Sequence, residues 1–210
     1  MTSDQFRRIW LTFGELVTEH RDELNRLDAA IGDADHGTNL ARGLAKVAAD
    51  LGADGATTHL AGSCRQVGMA LLSTVGGASG ALWGSALLRA AGALPDSDDC
   101  DTTAAVAATR QLTAAMKARG HAELGDKTMM DVWLPALDLL EKGVADGMPG
   151  PQAAAAVAEQ AAAWAEATAP LVARRGRASY LGARSAGHVD PGSVSTALFW
   201  RAVADAVANP

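Results

Sequence analysis

Apolar residues return at intervals of three and four along nearly the whole chain, and that rhythm constrains the fold more than any other feature. Phe6, Ile9, Trp10, Phe13, Leu16 and Val17 form one stripe of a first helix. Comparable stripes cover about residues 20–31, 38–51, 57–74, 79–93, 102–119, 127–142, 152–173 and 192–208. The first two can run together as one long helix, so the chain offers eight or nine. No run alternates β-branched and polar residues, as a half-buried strand would. Aromatic residues make up 4% of the 210 positions while alanine is plentiful, which suits closely packed helices better than a sandwich of sheets. The expectation is an all-α fold in a single domain over residues 1–210.

Charge narrows the partners. A formal net charge of −6 argues against a nucleic-acid or anionic-membrane surface, both of which call for a basic patch. A negatively charged ligand would need local help from backbone amides, arginine or a metal. The N-terminal stretch MTSDQFRRIWLTFGELVTEH scatters charges through its apolar residues, and no segment is long enough to span a bilayer. Cys64 and Cys100 have neither CxxC nor metal-ligand spacing and read as reduced thiols. The expected location is the cytoplasm.

The breaks between helices carry the chemistry. GALPDSDDCD (92–101) and GVADGMPG (143–150) are plain reversals. GDADHGTN (32–39), GGASG (76–80), GHAELGDKT (120–128) and GRASYLGARSAGHVDPGS (176–193) combine glycine with Asp, His, Lys, Arg, Ser or Thr, and each leads into a helix. Alternate loops of an up-and-down bundle fall at the same end, so these four are expected to gather there.

Asp28, Asp33 and Asp35 would not share a face of a continuous helix. If Gly32 ends the helix in a left-handed cap, Asp33 and Asp35 can swing back toward Asp28. Three converging carboxylates suit a hard cation, Mg²⁺ or Ca²⁺, and Mg²⁺ held by few protein ligands leaves room for phosphate oxygens. A solvated Asp-rich turn with one helix cap is the competing reading. The glycines before Ser79, and His36-Gly37-Thr38-Asn39 after the aspartates, would present helix N-termini to an anion, or else simply let helices pack closely. GHAELGDKT imitates the phosphate loop of strand-to-helix nucleotide folds. Asp126 is inserted before Lys127, however, and no strand precedes it, so Lys127 reads as a surface charge with Asp126 or Thr128 capping the next helix. Asp190-Pro191 marks a helix start. Arg177 and Arg184 could pair with phosphate, His188 reads as structural or exposed, and Tyr180 has only a packing role. No nucleophile triad emerges.

Taken together, LDAAIGDADHGTNLARG, LLSTVGGASGALWGS, GDKTMMDVWLPA and GRASYLGARSAGHVDPG, in that order, closely resemble the L-subunit family of dihydroxyacetone kinase, over about residues 4–208. The resemblance implies an eight-helix antiparallel up-and-down barrel with a nucleotide site in the loops at one end. It implies that Asp28, Asp33 and Asp35 ligate two Mg²⁺ ions bridging nucleotide phosphates. His36, Gly37, Thr38 and Asn39 would contact nucleotide and phosphate, with Ala78 and Ser79 at the phosphates. Gly120 and Met129 would enclose the adenine, and Arg177, Asp190, Pro191 and Gly192 would complete the pocket. Ala81 stands where the family usually has proline, at the pocket's edge.

The implied activity is phosphoryl transfer. Bound ADP accepts a phosphoryl group from a phosphocarrier M subunit, and the resulting ATP–Mg phosphorylates dihydroxyacetone held on a K subunit, where the acceptor-activating residues would lie. Two alternatives stay open. One is a split, ATP-consuming kinase for a related ketose or sugar acid. The other is a nucleotide-loaded co-regulator of a transcription regulator.

Overall fold

The computed structural model describes residues 1–53 and 59–208. Among them are nine α-helices: α1 (Ser3–Glu19), α2 (Arg21–Ile31), α3 (His36–Leu51), α4 (Leu60–Thr74), α5 (Gly77–Ala90), α6 (Thr102–Gly120), α7 (Met130–Ala145), α8 (Gly150–Glu166) and α9 (Pro191–Ala208). A 3₁₀ turn, Ala91–Ala93, follows α5, and a kinked 3₁₀ segment, Arg177–Ser185, precedes α9. The described residues contain no strand. Residues 57 and 58, expected to open the fourth stripe, lie outside the described residues, as do 209 and 210 at the end of the expected domain.

Eight helices close a ring. Starting from α3, each of α4 to α9 packs on the helix before it in sequence, and α1 packs on both α9 and α3. Only a single residue, His20, separates α1 from α2, which leans on α3 and α9 at one end of the ring. Successive junctions alternate between the two ends, so the ring is the antiparallel eight-helix barrel that the resemblance implies.

The few aromatic residues are concentrated on its axis. Trp10 and Phe13 of α1, Trp83 of α5, Trp133 of α7 and Phe199 and Trp200 of α9 form one cluster, with Trp83 and Phe199 ring centroids 5.0 Å apart and steeply inclined. Such edge-on pairs contribute about 0.5–1.5 kcal/mol each beyond the area they bury. A scarce residue type therefore locks four helices at a single point. Alanine does the complementary work at the rim, where Ala153, Ala154, Ala161 and Ala165 bring α8 close to its neighbours. Cys64, free and buried, donates to Leu87 O at 3.3 Å, and burial pushes its thiol up to about 12. No described helix is long and apolar enough to cross a membrane.

One boundary departs from the periodicity. The stripe over 152–173 predicts a helix to about Ala173, but α8 ends at Glu166. Pro170 explains the difference: its ring collides with the carbonyl four residues back, at Glu166, and it supplies no N–H to continue the ladder. The chain then needs twenty-four residues, 167–190, to reach α9. That long return builds one wall of the cleft described next.

Candidate functional site

The junctions α2/α3, α4/α5, α6/α7 and α8/α9 meet at one end of the barrel around a cleft of about 420 Å³. These are the four loops singled out by composition. Of the residues expected in a site, Asp28, Asp33, Asp35, His36, Asn39, Ala78, Ser79, Gly120, Met129, Arg177, Asp190, Pro191 and Gly192 line this one cleft. Gly37 and Thr38 do not. A Cβ on Gly37 would lie 3.0 Å from the Arg21 carbonyl carbon, so this glycine is the contact point of α3 on α2. Thr38 is clasped by Asn25, whose Oδ1 accepts from Thr38 N at 3.0 Å and whose Nδ2 donates to Thr38 Oγ1 at 2.8 Å.

The acidic corner is assembled by Asp28, on the last turn of α2. Its Oδ2 accepts from Asp35 N at 2.9 Å and His36 N at 3.2 Å, so one helix caps the start of the next. Asp35, at the conventional cap position, makes no capping bond with its side chain. Its carboxylate is left to join those of Asp28 and Asp33, and one oxygen from each of the three lies within 4.8 Å of the others. Gly32 is not in the expected left-handed cap. Its φ is negative (φ −146°, ψ −134°), and Ala34 takes the positive φ instead, at 65°. What Gly32 supplies is space: a Cβ there would sit 2.9 Å from Asp28 Cγ and closer still to its Oδ1.

Opposite the carboxylates, α5 begins at Gly77 with Gly76 at its cap position and no side chain capping its first amides. Amides of that kind, at the positive end of a helix, suit an anion. Arg177, at the start of the 3₁₀ segment, reaches across the cleft to Asp33, Nη1 to Oδ2 at 2.6 Å. At the start of α9, Asp190 Oδ2 accepts from Ser193 N at 2.7 Å, the helix start expected from Asp190-Pro191. Burial pushes Asp190 up to about 6, against the Ser193 bonds that favour its charged form. His36 Nε2 lies 3.0 Å from Ser195 Oγ, and that hydroxyl donates to Gly192 O at 3.1 Å, so the ring is the donor and its Nδ1 is left as an acceptor. Burial holds His36 below its ordinary value, opposed by Asp28 and Asp35.

Two expectations fail here. Lys127 is not a surface charge: it is 1% exposed, lines the cleft and donates to Thr168 O at 2.7 Å, Ala169 O at 3.2 Å and His188 O. Asp126 caps its own turn rather than a helix, accepting from Glu123 N at 2.9 Å, while Thr128 Oγ1 accepts from Met130 N at 3.1 Å as α7 begins. Tyr180 does not pack; it is 88% exposed on the 3₁₀ segment. Arg119 and Arg175, not singled out in the sequence, also line the cleft, and Arg184 does not. Arg175 carries the one legible signal, since it stands next to Gly176, where φ is +66° and the backbone bends toward the cleft.

The model of the DAK2 domain matches residues 30–205. The chain belongs to the DAK2 domain family. This DAK2 domain is 40% identical over 196 residues to the ADP-binding subunit DhaL of the PEP-dependent dihydroxyacetone kinase of Escherichia coli (strain K12), covering 93% of each chain. It is 41% identical over 202 residues to the L-erythrulose 1-kinase of Mycolicibacterium smegmatis, covering 92% of this chain and 34% of that one. The dihydroxyacetone kinase of C. freundii in complex with AMP-PNP and Mg²⁺ superposes with a TM-score of 0.74 at 27% identity, over 95% of this chain and 33% of that one. The DAK2 domain thus spans nearly the whole of the separate subunit and about a third of the longer kinases.

Three carboxylates whose oxygens converge, one of them anchored by two amides and one neutralised by an arginine, fit a divalent cation. The oxygen-only donor set favours Mg²⁺ or Ca²⁺ over softer metals.

Proposed function

We propose that this chain is the ADP-binding, phosphoryl-transferring subunit of a dihydroxyacetone kinase. The observation that carries the reading is the meeting of Asp28, Asp33 and Asp35 with the start of α5 and Arg177 around one cleft. Asp28, Asp33 and Asp35 would hold two Mg²⁺ ions, whose chemistry is to clamp the nucleotide phosphates and offset charge that develops on them. The chain's own groups do the rest. The amides of Ala78 and Ser79 at the start of α5 orient the phosphates, and Arg177 is free to leave Asp33 for a phosphate oxygen once a cation takes over its role. Met129 and Gly120 flank the base, and the Asp190-Pro191-Gly192 turn closes the pocket beside them.

Phosphoryl transfer asks this chain for positioning and charge neutralisation rather than for a base. The acceptor, dihydroxyacetone, therefore belongs on a K subunit docked at this end, and the donor is a phosphocarrier M subunit that recharges ADP in place. The 93% coverage of a separate ADP-binding subunit supports that arrangement. The 41% identity to an L-erythrulose 1-kinase favours a second reading, in which a K-like partner presents a related ketose and ATP is consumed.

Native mass spectrometry of the purified chain separates the two. Retention of about one ADP with two magnesium ions through dialysis is expected of a resident cofactor. A chain that purifies empty, binds added ATP–Mg²⁺ and releases ADP freely is the ATP-consuming form. Failure to bind either nucleotide at any magnesium concentration overturns the functional reading.

A further inference from the structure

Lys127 belongs to no part of the proposed transfer chemistry, yet it is among the most completely buried side chains of the molecule. A buried ammonium is costly unless its protons are taken up, and here they are. Thr168 O and Ala169 O lie just past the end of α8, where each also accepts a backbone amide (Leu171 N and Gly187 N), and His188 O belongs to the return that leads into α9. A cation beyond a helix C-terminus also meets the negative end of its dipole. Lys127 itself sits at a positive φ of 61°, in a turn that Asp131 fastens by accepting from Gly125 N at 2.5 Å and Thr128 N at 2.7 Å. The side chain is thus delivered inward by a backbone conformation that an ordinary surface lysine has no reason to adopt.

The same strands of chain are stitched together around it. Asp190 N donates to Thr168 Oγ1 at 2.9 Å, Gly187 N to Ala169 O at 2.7 Å, and Ser193 Oγ to Thr128 O at 2.8 Å. Asp190 and Asp131 supply the nearby negative charge, while burial pulls the ammonium below its ordinary value. The Lys127 bonds tie the α6/α7 turn to the α8/α9 return and Ser193 Oγ ties it to the start of α9, while the Asp190–Thr168 and Gly187–Ala169 bonds brace the return on itself. None reaches the carboxylate corner formed by α2 and α3.

We propose that Lys127 is the positioning residue of the nucleotide wall, holding the Asp190-Pro191-Gly192 turn against Met129 so that the base side of the cleft is formed before ligand arrives. Lys127 touches no reacting atom in this role. It acts through the carbonyls of Thr168 and His188, and the proposal rests on the nucleotide reading above. Removing the ammonium takes one donor from each of the three carbonyls and cuts the link from position 127 to His188 O, although Thr168 O keeps Leu171 N and Ala169 O keeps Gly187 N. The turn can then drift, while the Asp28 cap on α3 stays intact.

Lys127→Met keeps the length and apolar stem of the side chain and removes only the charge and its donors. The affinity for Mg²⁺·ADP, measured by titration calorimetry, is expected to fall roughly ten- to a hundredfold. Hydrogen exchange should quicken at the amides of Gly187 and Asp190, and stay unchanged at those of Asp35 and His36. Wild-type affinity in the folded variant overturns the proposal, and so does a uniform rise in exchange across the barrel, which would make Lys127 a general stability element. If Lys127→Met does not fold, Thr168→Val cuts the neighbouring link to Asp190 N at a buried site of nearly equal volume. Faster exchange at Asp190 with weaker Mg²⁺·ADP binding supports the proposal, and unchanged binding overturns it. A wild-type chain that binds no nucleotide sinks the nucleotide reading, and this proposal with it. A wild type that binds alongside a variant that binds equally well removes Lys127 alone.

Discussion

Gly32→Ala isolates the geometry on which the carboxylate corner depends. The backbone at Gly32 has a negative φ of −146°, outside the left-handed region, so the change to weigh is the added methyl group. That methyl would fall 2.9 Å from Asp28 Cγ and closer to Oδ1, well inside contact distance. The helix cannot yield easily, but the Asp28 side chain can rotate away. Doing so breaks the bonds from Asp35 N and His36 N to Oδ2. Hydrogen bonds to a charged acceptor contribute about 1.5–3 kcal/mol each, and the two freed amides lie on half-buried residues that water can partly satisfy. The net loss should be about 2–3 kcal/mol of unfolding free energy, read as a lower urea midpoint at unchanged slope. Mg²⁺-dependent ADP binding should be lost at the same time, because a metal ligand has left its place. Asp33→Asn is the matched control. It removes a ligand at the exposed rim without disturbing the cap, so transfer should disappear while the urea midpoint stays within about 0.5 kcal/mol of wild type. A Gly32→Ala protein that keeps both its midpoint and its Mg²⁺·ADP affinity would refute the reasoning.

Two further outcomes follow from the same coordinates. Gly37→Ala places a methyl against the Arg21 backbone, which cannot rotate aside, so α2 and α3 must separate; a loss of about 2–4 kcal/mol is expected in urea unfolding, with the cleft carboxylates chemically untouched. Asp190, held up to about 6 by burial, has a folded value above its ordinary 3.8. Between those values the folded state binds the extra proton, so this residue adds stability as pH falls from about 7 toward 4 and withdraws it as pH rises through 6. Thermal melts of wild type and Asp190→Asn across that range should show the rise in the first and a flatter profile in the second.

Much of the barrel was legible because amphipathic periodicity reports burial directly, and every helix here has one face on the core. Pro170 shows where the reading failed: the alanine stripe was followed past a residue whose local sterics end the helix four positions earlier. At the site, converging glycine and carboxylate residues could be recognised because few other ligands need both. The mechanism at Gly32 could not, since glycines of negative and of positive φ look alike in sequence, and only the position of Asp28 distinguishes them. Lys127 was misread for the opposite reason. Lysine is the least often buried of side chains, and the carbonyls that accept its protons come from residues 168, 169 and 188, which no local pattern connects to position 127. Tyr180 is a similar case: the single tyrosine, with no role but packing to be read from the sequence, is exposed on the 3₁₀ segment instead.

The closure of α1 onto α9 sets a timetable for the molecule. During synthesis α1 emerges before the other helices described and carries an apolar stripe that includes Trp10 and Phe13, whose ring partner Phe199 emerges only with α9. Until then that stripe can only find provisional partners, and a ring with a missing stave presents apolar surface on both sides of the gap. The cleft obeys the same schedule, since Asp190, Pro191 and Gly192 emerge after the other residues that line it. A nascent chain therefore cannot be helped by a ligand of the cleft until the start of α9 has emerged.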